Sequence, residues 1–221
     1  MTFQLGPGVS FCFVEDHAVA LDLRRDRYFG LSAAQSEALR GLSCGKAVGK
    51  AAAADLSVLL ARGLVVTHQG HGDVQPCRYA PPRTSLREDH HGRAGATLAD
   101  AIEVAIIVLE TWAMLRLRPL AWVIEQRQRS RASASRSDTR VSAETLALRF
   151  LAVRGLSPIR PRCLLDSLAL LRFLTRHGSD ADLVLAVAVR PFEAHAWAQL
   201  GDRALNETTH RAAMLTPILV V

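Results

Sequence analysis

Short apolar runs separated by polar turns dominate the first part of the chain. Residues 9–14 and 18–23 are rich in apolar and β-branched side chains, and three polar residues lie between them. This pattern predicts a β-hairpin. A third short strand is predicted over residues 28–31, after a polar turn that contains four charged residues.

Helical signals follow these strands. Ser32 is placed to cap a helix over residues 33–42, and a second helix over residues 55–60 is predicted to end at Arg62 and Gly63. A last apolar run covers residues 64–67. Three strands followed by helices predict a small winged-helix-like α+β unit over residues 1–75.

Residues 76–95 are polar and contain several glycines and prolines. No helical or strand period survives there, so this segment is predicted to be a linker. It would separate the first unit from a second domain over residues 96–221.

The second domain is predicted to have helices first and an antiparallel sheet last. Apolar residues at spacings of three and four indicate helices, and Pro119 is expected to divide one of them. Alternating apolar runs near the end indicate a strand meander. The predicted helices cover residues 97–128, 141–151 and 163–177, and the strands cover 183–189, 195–200 and 204–206. The fold class is therefore α+β.

The distribution of charge excludes a broad phosphate-binding face. The formal net charge is +6, but residues 1–75 carry seven basic and seven acidic side chains. Residues 127–140 carry five arginines and one aspartate, and this low-complexity segment is predicted to be a mobile loop. A winged-helix nucleic-acid-binding protein stays an alternative, although the balanced charge of residues 1–75 counts against it.

The cysteines and apolar segments indicate the compartment. Cys12, Cys44, Cys77 and Cys163 form no C-x-x-C pair, so neither a metal site nor a disulfide scaffold is expected. The most apolar stretch, residues 101–123, contains four charged side chains, too many for a membrane span. The N-terminus has no pattern of a secretory signal, and a cytoplasmic protein is expected.

Cys163 begins a predicted helix, and Arg160, Pro161 and Arg162 precede it. Free N–H groups and the positive end of the helix dipole lower a thiol pKa at this position. The same N–H groups could stabilise an oxyanion on a carbonyl that the sulfur attacks. A buried structural cysteine is the alternative.

His195 lies within a predicted strand, between Ala194 and Ala196. Alone, such a histidine is more often a packed core or surface residue. A cysteine at a helix start, then a strand histidine, then a polar acceptor is the order of a nucleophile, its base and the group that orients the base. Papain-like and transglutaminase-like enzymes have this arrangement.

Two segments carry a family resemblance. Residues 161–207 contain R-C-L, S-L-x-L and A-H-A-W, and this run resembles the transglutaminase-like domain of lasso-peptide leader peptidases, the B proteins. Residues 22–32, DLRRDRYFGLS, are similar to precursor-recognition modules related to the pyrroloquinoline quinone chaperone. The two resemblances occur in the same order as in fused B proteins.

The third catalytic residue is open. In the family it is an aspartate, and the aligned position is Glu207. A symmetric two-residue turn at Gly201 and Asp202 would turn Glu207 to the opposite face of the sheet, so an odd turn or a bulge would be needed. Asn206 and Asp202 are the alternatives.

A leader peptide is expected to add a strand along residues 28–31, because an edge strand has unpaired N–H and C=O groups. Its apolar side chains would contact the helix over residues 55–60, and the recognition-module resemblance points to the same elements. The alternative is that these side chains form the core of the unit. The expected leader-binding residues are Tyr28, Phe29, Gly30, Leu31, Leu56, Leu59 and Leu60.

The resemblance implies a cysteine protease that binds the leader of a ribosomally made lasso-peptide precursor and hydrolyses the leader–core bond. It also implies an asparagine-synthetase-like cyclase as a partner that uses ATP, and no cofactor is expected in this chain. The glycines of residues 41–50 do not match a phosphate-binding loop. A transglutaminase-like protein that cross-links or acts as a scaffold is a further alternative.

Overall fold

The computed structural model describes residues 2–45, 53–70, 72–89, 95–134 and 141–221. Helices and mainly antiparallel sheets alternate along these residues. The predicted α+β fold class is therefore confirmed.

The first unit contains two small sheets and two helices. Its elements are β1 (Thr2–Leu5), β2 (Val9–Val14), β3 (His17–Asp22), β4 (Arg27–Gly30), α1 (Ala33–Ser43), α2 (Ala53–Ala61) and β5 (Val65–His68). The predicted hairpin and third strand form an antiparallel sheet in the order β2-β3-β4. The sequence pattern did not indicate β1, which pairs with β5.

Local chemistry fixes the start of α1. The Ser32 side chain accepts a hydrogen bond from Gln35 N, and the Gln35 side chain accepts one from Ser32 N. This reciprocal capping box satisfies two N–H groups that have no partner within the helix. A buried bond from Ala18 N to Ser36 Oγ then joins α1 to β3. The predicted cap at Ser32 is confirmed.

The second unit has its longer helices on one face of a five-stranded sheet, and a short helix packs on the opposite face. Its elements are β6 (Thr84–Ser85), α3 (Leu86–Asp89), α4 (Leu98–Leu117), α5 (Leu120–Ala134), α6 (Ala143–Arg154), α7 (Cys163–Arg176), β7 (Asp182–Val189), β8 (Phe192–Leu200), β9 (Arg203–Ala204), α8 (Thr209–Ala213) and β10 (Thr216–Val220). The strand order is β10-β7-β8-β9-β6. Only the short β6–β9 pair is parallel among the described strands.

Two segments differ from the sequence prediction. Residues 76–95, predicted to be a linker, contain β6 and α3, and β6 extends the sheet of the second unit. Residues 127–134, predicted to be part of a mobile loop, belong to α5. In this helix, the buried Arg127 side chain donates hydrogen bonds to Asp180 and to the Ala181 carbonyl. The composition of residues 127–140 could not indicate contacts with residues so far away in the sequence. Residues 90–94 and 135–140 of these two segments lie outside the described residues.

The two units share a hydrophobic core. Cys12, Val19 and Leu21 of the small sheet pack in the same buried cluster as α7 and β7. Ser10 Oγ also donates a 2.6 Å hydrogen bond to the Ile218 carbonyl of β10. The small sheet therefore packs directly on the edge of the large one. Among the described residues, no helix has the length and hydropathy needed to span a membrane.

Candidate active site

Cys163 is the first residue of α7, as its position after Pro161 predicts. The preceding residue, Arg162, has extended backbone angles and makes no side-chain capping bond. No side chain ahead of the helix therefore caps its first N–H groups, and one of them, the N–H of Leu164, acts on the Cys163 thiol. The Cys163 side chain is half-buried.

His195 lies in β8, opposite Ala186 of β7, and its side chain is 17% exposed. The helix α7 packs against β8, which brings the imidazole to the Cys163 thiol. The thiol and the imidazole are close enough that each shifts the pKa of the other. His195 Nε2 hydrogen-bonds a different partner, so Nδ1 is the ring nitrogen that stays available to the sulfur.

That partner is Glu207. Its Oε2 hydrogen-bonds His195 Nε2, and its Oε1 accepts a 2.8 Å bond from Thr208 N. The carboxylate side chain is 13% exposed. The structure therefore brings the expected cysteine, histidine and glutamate together, and a hydrogen bond joins the last two.

The way in which Glu207 reaches His195 corrects the sequence argument. The turn at Gly201 and Asp202 is the symmetric two-residue turn, since Leu200 pairs with Arg203 and Gln199 with Ala204. The predicted requirement for an odd turn or a bulge was wrong. The strand β9 ends at Ala204, three residues before Glu207. Glu207 therefore lies outside the strand, and the alternation of side chains between the two faces of the sheet does not determine where it points.

The two alternatives for the third residue lie elsewhere. Asn206 Oδ1 accepts a 2.7 Å bond from Ala198 N, and Asn206 Nδ2 donates a 3.0 Å bond to Ser167 Oγ. The Asn206 amide group therefore joins β8 to α7. Asp202 is exposed in the turn beyond Leu200, the last residue of β8, and Leu200 is five strand positions, or roughly 17 Å, from His195.

A polar network that sequence reasoning missed holds these elements in register. Ser167 Oγ is buried, 2.7 Å from the Cys163 carbonyl and 3.2 Å from the Ala196 carbonyl, and it accepts the Asn206 amide. Ser85 Oγ donates a 2.6 Å bond to the Glu207 carbonyl. The S-L-x-L segment contains Ser167, but no local pattern indicated Ser85, which lies in the predicted linker.

A buried ion pair fixes the loop ahead of the nucleophile. Arg154 Nη2 lies 2.6 Å from Asp166 Oδ1 in the first turn of α7. Arg154 Nη1 also donates a 3.1 Å bond to the Ile159 carbonyl. Because Arg154 is 6% exposed, these contacts tie the end of α6 to the residues before Cys163.

The hydrogen bonds favour a thiolate–imidazolium pair. The bond to His195 lowers the pKa of Cys163 despite its partial burial, and the backbone N–H groups of Ala196 and Leu164 act in the same direction. The bonds to Cys163 and then Glu207 raise the pKa of His195 to about 9. Burial acts to raise the pKa of Glu207, but the bonds from His195 and Thr208 N outweigh it and the pKa is lowered.

Two other cysteines have a raised thiol pKa, the opposite of the shift at Cys163. Burial raises the pKa of Cys12 to about 12, and Cys77 nearby adds to that shift. Burial also raises the pKa of Cys77. Cys44 is exposed. Of Cys12, Cys77 and Cys163, only Cys163 has a lowered pKa and a neighbouring base.

The expected leader-binding residues do not share one cleft. Leu31, Leu56 and Leu59 are at most 7% exposed and belong to the core of the first unit, so they are not free to line an open groove. Phe29 and Leu60 are half-buried against that core, and Gly30 is exposed.

Tyr28 faces the other way, because successive residues of a strand point to opposite sides. It packs against the core of the second unit, and its ring centroid lies 5.6 Å from that of Phe192. The expectation that Tyr28 borders the groove beside α2 was therefore wrong. Burial raises the pKa of Tyr28 to about 12, and Asp26 and then Cys163 add to the shift.

No group of three or more His, Cys, Asp or Glu side chains within the described residues is arranged to hold a metal ion. A family model described as Transglutaminase-like superfamily matches residues 76–220. No curated protein and no solved structure matches the chain.

Proposed function

The chain belongs to the transglutaminase-like superfamily, and from this premise we propose that it is a cysteine peptidase acting on a ribosomally made precursor peptide. The observation that carries the proposal is the placing of His195, hydrogen-bonded to Glu207, beside the Cys163 thiol at the start of α7. The resemblance to lasso-peptide B proteins supports a leader–core peptide bond as the substrate.

In the proposed first step, the Cys163 thiolate attacks the carbonyl carbon of the last leader residue. A C–S bond forms, and the oxyanion is stabilised by N–H groups of the first turn of α7. As the C–N bond breaks, His195 gives its Nδ1 proton to the leaving amine, which becomes the N-terminus of the core peptide. The leader remains as a thioester on Cys163.

In the second step, water attacks the thioester carbonyl and His195 accepts the water proton. The C–S bond breaks, the leader leaves as a carboxylic acid that loses its proton to solvent, and the thiolate–imidazolium pair is restored. Glu207 acts through His195 in both steps, since its carboxylate orients the ring and stabilises the imidazolium. An amine in place of water would give the cross-linking reaction instead.

We further propose that the leader binds along β4. This strand ends the order β2-β3-β4 among the described strands, so one of its edges has free N–H and C=O groups. An open depression of about 530 Å³ lies beside it, lined by Arg25, Arg27, Phe29 and Arg62. Arg25 already pairs with Asp22. The guanidinium groups of Arg27 and Arg62, beside the Phe29 ring, favour an extended peptide that has acidic and apolar side chains.

The contact between Tyr28 and Phe192 connects this strand to the catalytic unit. Phe192 is 56% exposed at the start of β8, three positions before His195. We propose that the two rings border the path of the peptide from β4 to Cys163. The freed core amine would then pass to the cyclase, which is the expected ATP-dependent partner, in the cytoplasm.

The test is incubation of the full chain with the precursor encoded beside its gene, followed by mass measurement of the products. Two fragments whose masses sum to the precursor plus one water support hydrolysis. A single heavier product would show cross-linking instead. Cys163→Ala should abolish the fragments, and Cys44→Ala, a change at an exposed cysteine, should not.

Leader binding has a separate test. Arg27→Glu should raise KM for the precursor about tenfold, because it reverses one charge in the depression, and should leave kcat within about twofold. Arg24→Glu is the matched control, since Arg24 is exposed but does not line the depression. Equal KM values for the two variants would contradict the assignment of β4.

A further inference from the structure

A second cavity lies at the end of α7 that is distant from the cysteine. Its volume is about 350 Å³, within the size range of small-molecule sites. Helices α4, α5 and α7 form its walls, and its apolar lining includes Met114, Trp122, Val123 and Leu168. Arg172, in the same lining, is nine positions along α7 from Cys163, or roughly 14 Å.

Polar atoms in the lining have unused hydrogen-bonding capacity. Arg127 is 5% exposed, and its Nη2 bonds Asp180 and the Ala181 carbonyl. Its Nε and Nη1 are buried with no hydrogen-bond partner among the described residues, and the same is true of Thr175 Oγ1. Native proteins seldom leave buried donors unpaired, so these atoms indicate an acceptor that the described part of the chain does not supply.

The charged side chains that line the cavity are positive. Arg127, Arg172 and Arg176 line it, and no acidic residue is among the described lining residues. Glu110, outside the lining, lies 2.7 Å from Arg172 Nη2 and 3.0 Å from Arg176 Nη2. Burial lowers the pKa of Arg172, with Glu110 opposing this shift and Arg176 adding to it. An anion in the cavity would compensate this excess of positive charge.

We propose that this cavity binds a small organic anion, namely a carboxylate or phosphate monoester on an apolar body. The anionic group accepts hydrogen bonds from Arg127 and Thr175, and the apolar body packs against Trp122 and Met114. This site is separate from Cys163 and does not depend on the proposed peptidase activity. Its occupancy would hold α5 against α7, the helix that begins at the cysteine.

Isothermal titration calorimetry on the full chain tests the proposal with four probes of matched design: octanoate, octyl phosphate, octanol and inorganic phosphate. The two octyl anions are expected to bind at least about tenfold more tightly than octanol, which lacks the charge. They are also expected to bind at least about tenfold more tightly than inorganic phosphate, which lacks the chain. The better of the two octyl anions identifies the head group.

Thr175→Val is the decisive variant, because it replaces an unpaired hydroxyl by a methyl group of the same shape. We expect its melting temperature without ligand to equal or exceed that of the wild type, and its affinity for the better anion to fall about tenfold. Arg127→Met should lose that affinity as well. Arg129→Met is the control, because Arg129 is exposed on the same helix outside the lining.

Either of two results would overturn the proposal. One is equal binding of octanol and the octyl anions, and the other is unchanged affinity in Thr175→Val. Binding of inorganic phosphate as tight as that of octyl phosphate would contradict the apolar part of the assignment. Arg127→Met also breaks the Asp180 pair, so Thr175→Val decides the question if that variant does not fold.

Discussion

Replacement of Glu207 by glutamine removes a negative charge from His195 and keeps the shape of the side chain. Glutamine retains one oxygen that can accept the Nε2 proton, so the ring keeps most of its orientation. What is lost is the charge that stabilises the imidazolium. The effect should therefore appear in the protonation of His195 as well as in the rate.

The expected magnitude follows from the two bonds of His195. Its pKa of about 9, against an ordinary 6.5, corresponds to about 3 kcal/mol in favour of the imidazolium. Cys163 is the larger cause and Glu207 the second, so we assign about 1 kcal/mol to the carboxylate. The imidazole ring of His195 also loses some of its orientation. The two effects together should lower kcat/KM for precursor cleavage about 10- to 100-fold.

The assay is kcat/KM against pH for Glu207→Gln, with Asp202→Asn as the matched control. The carboxylate raises the pKa of His195, so its loss should move the alkaline limb of the profile to lower pH. The control should keep the wild-type profile, because Asp202 is exposed in a turn far from the site. Equal effects of the two substitutions, or an unmoved alkaline limb, would refute the role of Glu207.

Three further predictions concern the thiol, the polar network and the first core. At about pH 6, iodoacetamide should alkylate Cys163 before the other cysteines, and His195→Ala should abolish that preference in peptide mapping, since the imidazolium holds the thiolate. Ser167→Ala should lower the free energy of unfolding by about 1 to 3 kcal/mol in urea, because a buried amide loses its acceptor. Leu59→Ala should cost about 2 to 5 kcal/mol by the same measurement, since Leu59 is fully buried.

Local sequence rules predict the two residues that carry the proposed chemistry. Cys163 begins a helix because Pro161 and an extended Arg162 precede it and a regular apolar period follows. His195 lies in a strand because apolar residues alternate around it. These signals come from neighbouring residues, and they need no knowledge of the tertiary contacts.

The contacts that complete the site are non-local and could not be predicted in this way. The path from His195 to Glu207 depends on the end of β9, which the alternation of side chains did not indicate. Ser167 and Asn206 meet across 39 positions of sequence. Likewise, an arginine-rich composition predicted a loop at Arg127, where the structure has a helix. Arg127 is buried there and pairs with Asp180, 53 positions away in the sequence.

Detection of the covalent intermediate would establish whether the Cys163 thiol is the nucleophile. The full chain is mixed with precursor, quenched in acid within one turnover, and examined by intact mass and peptide mapping. The account predicts an added mass equal to the leader minus one water, located on Cys163. Precursor cleavage without any adduct on Cys163, or an adduct on Cys12, Cys44 or Cys77, would contradict it.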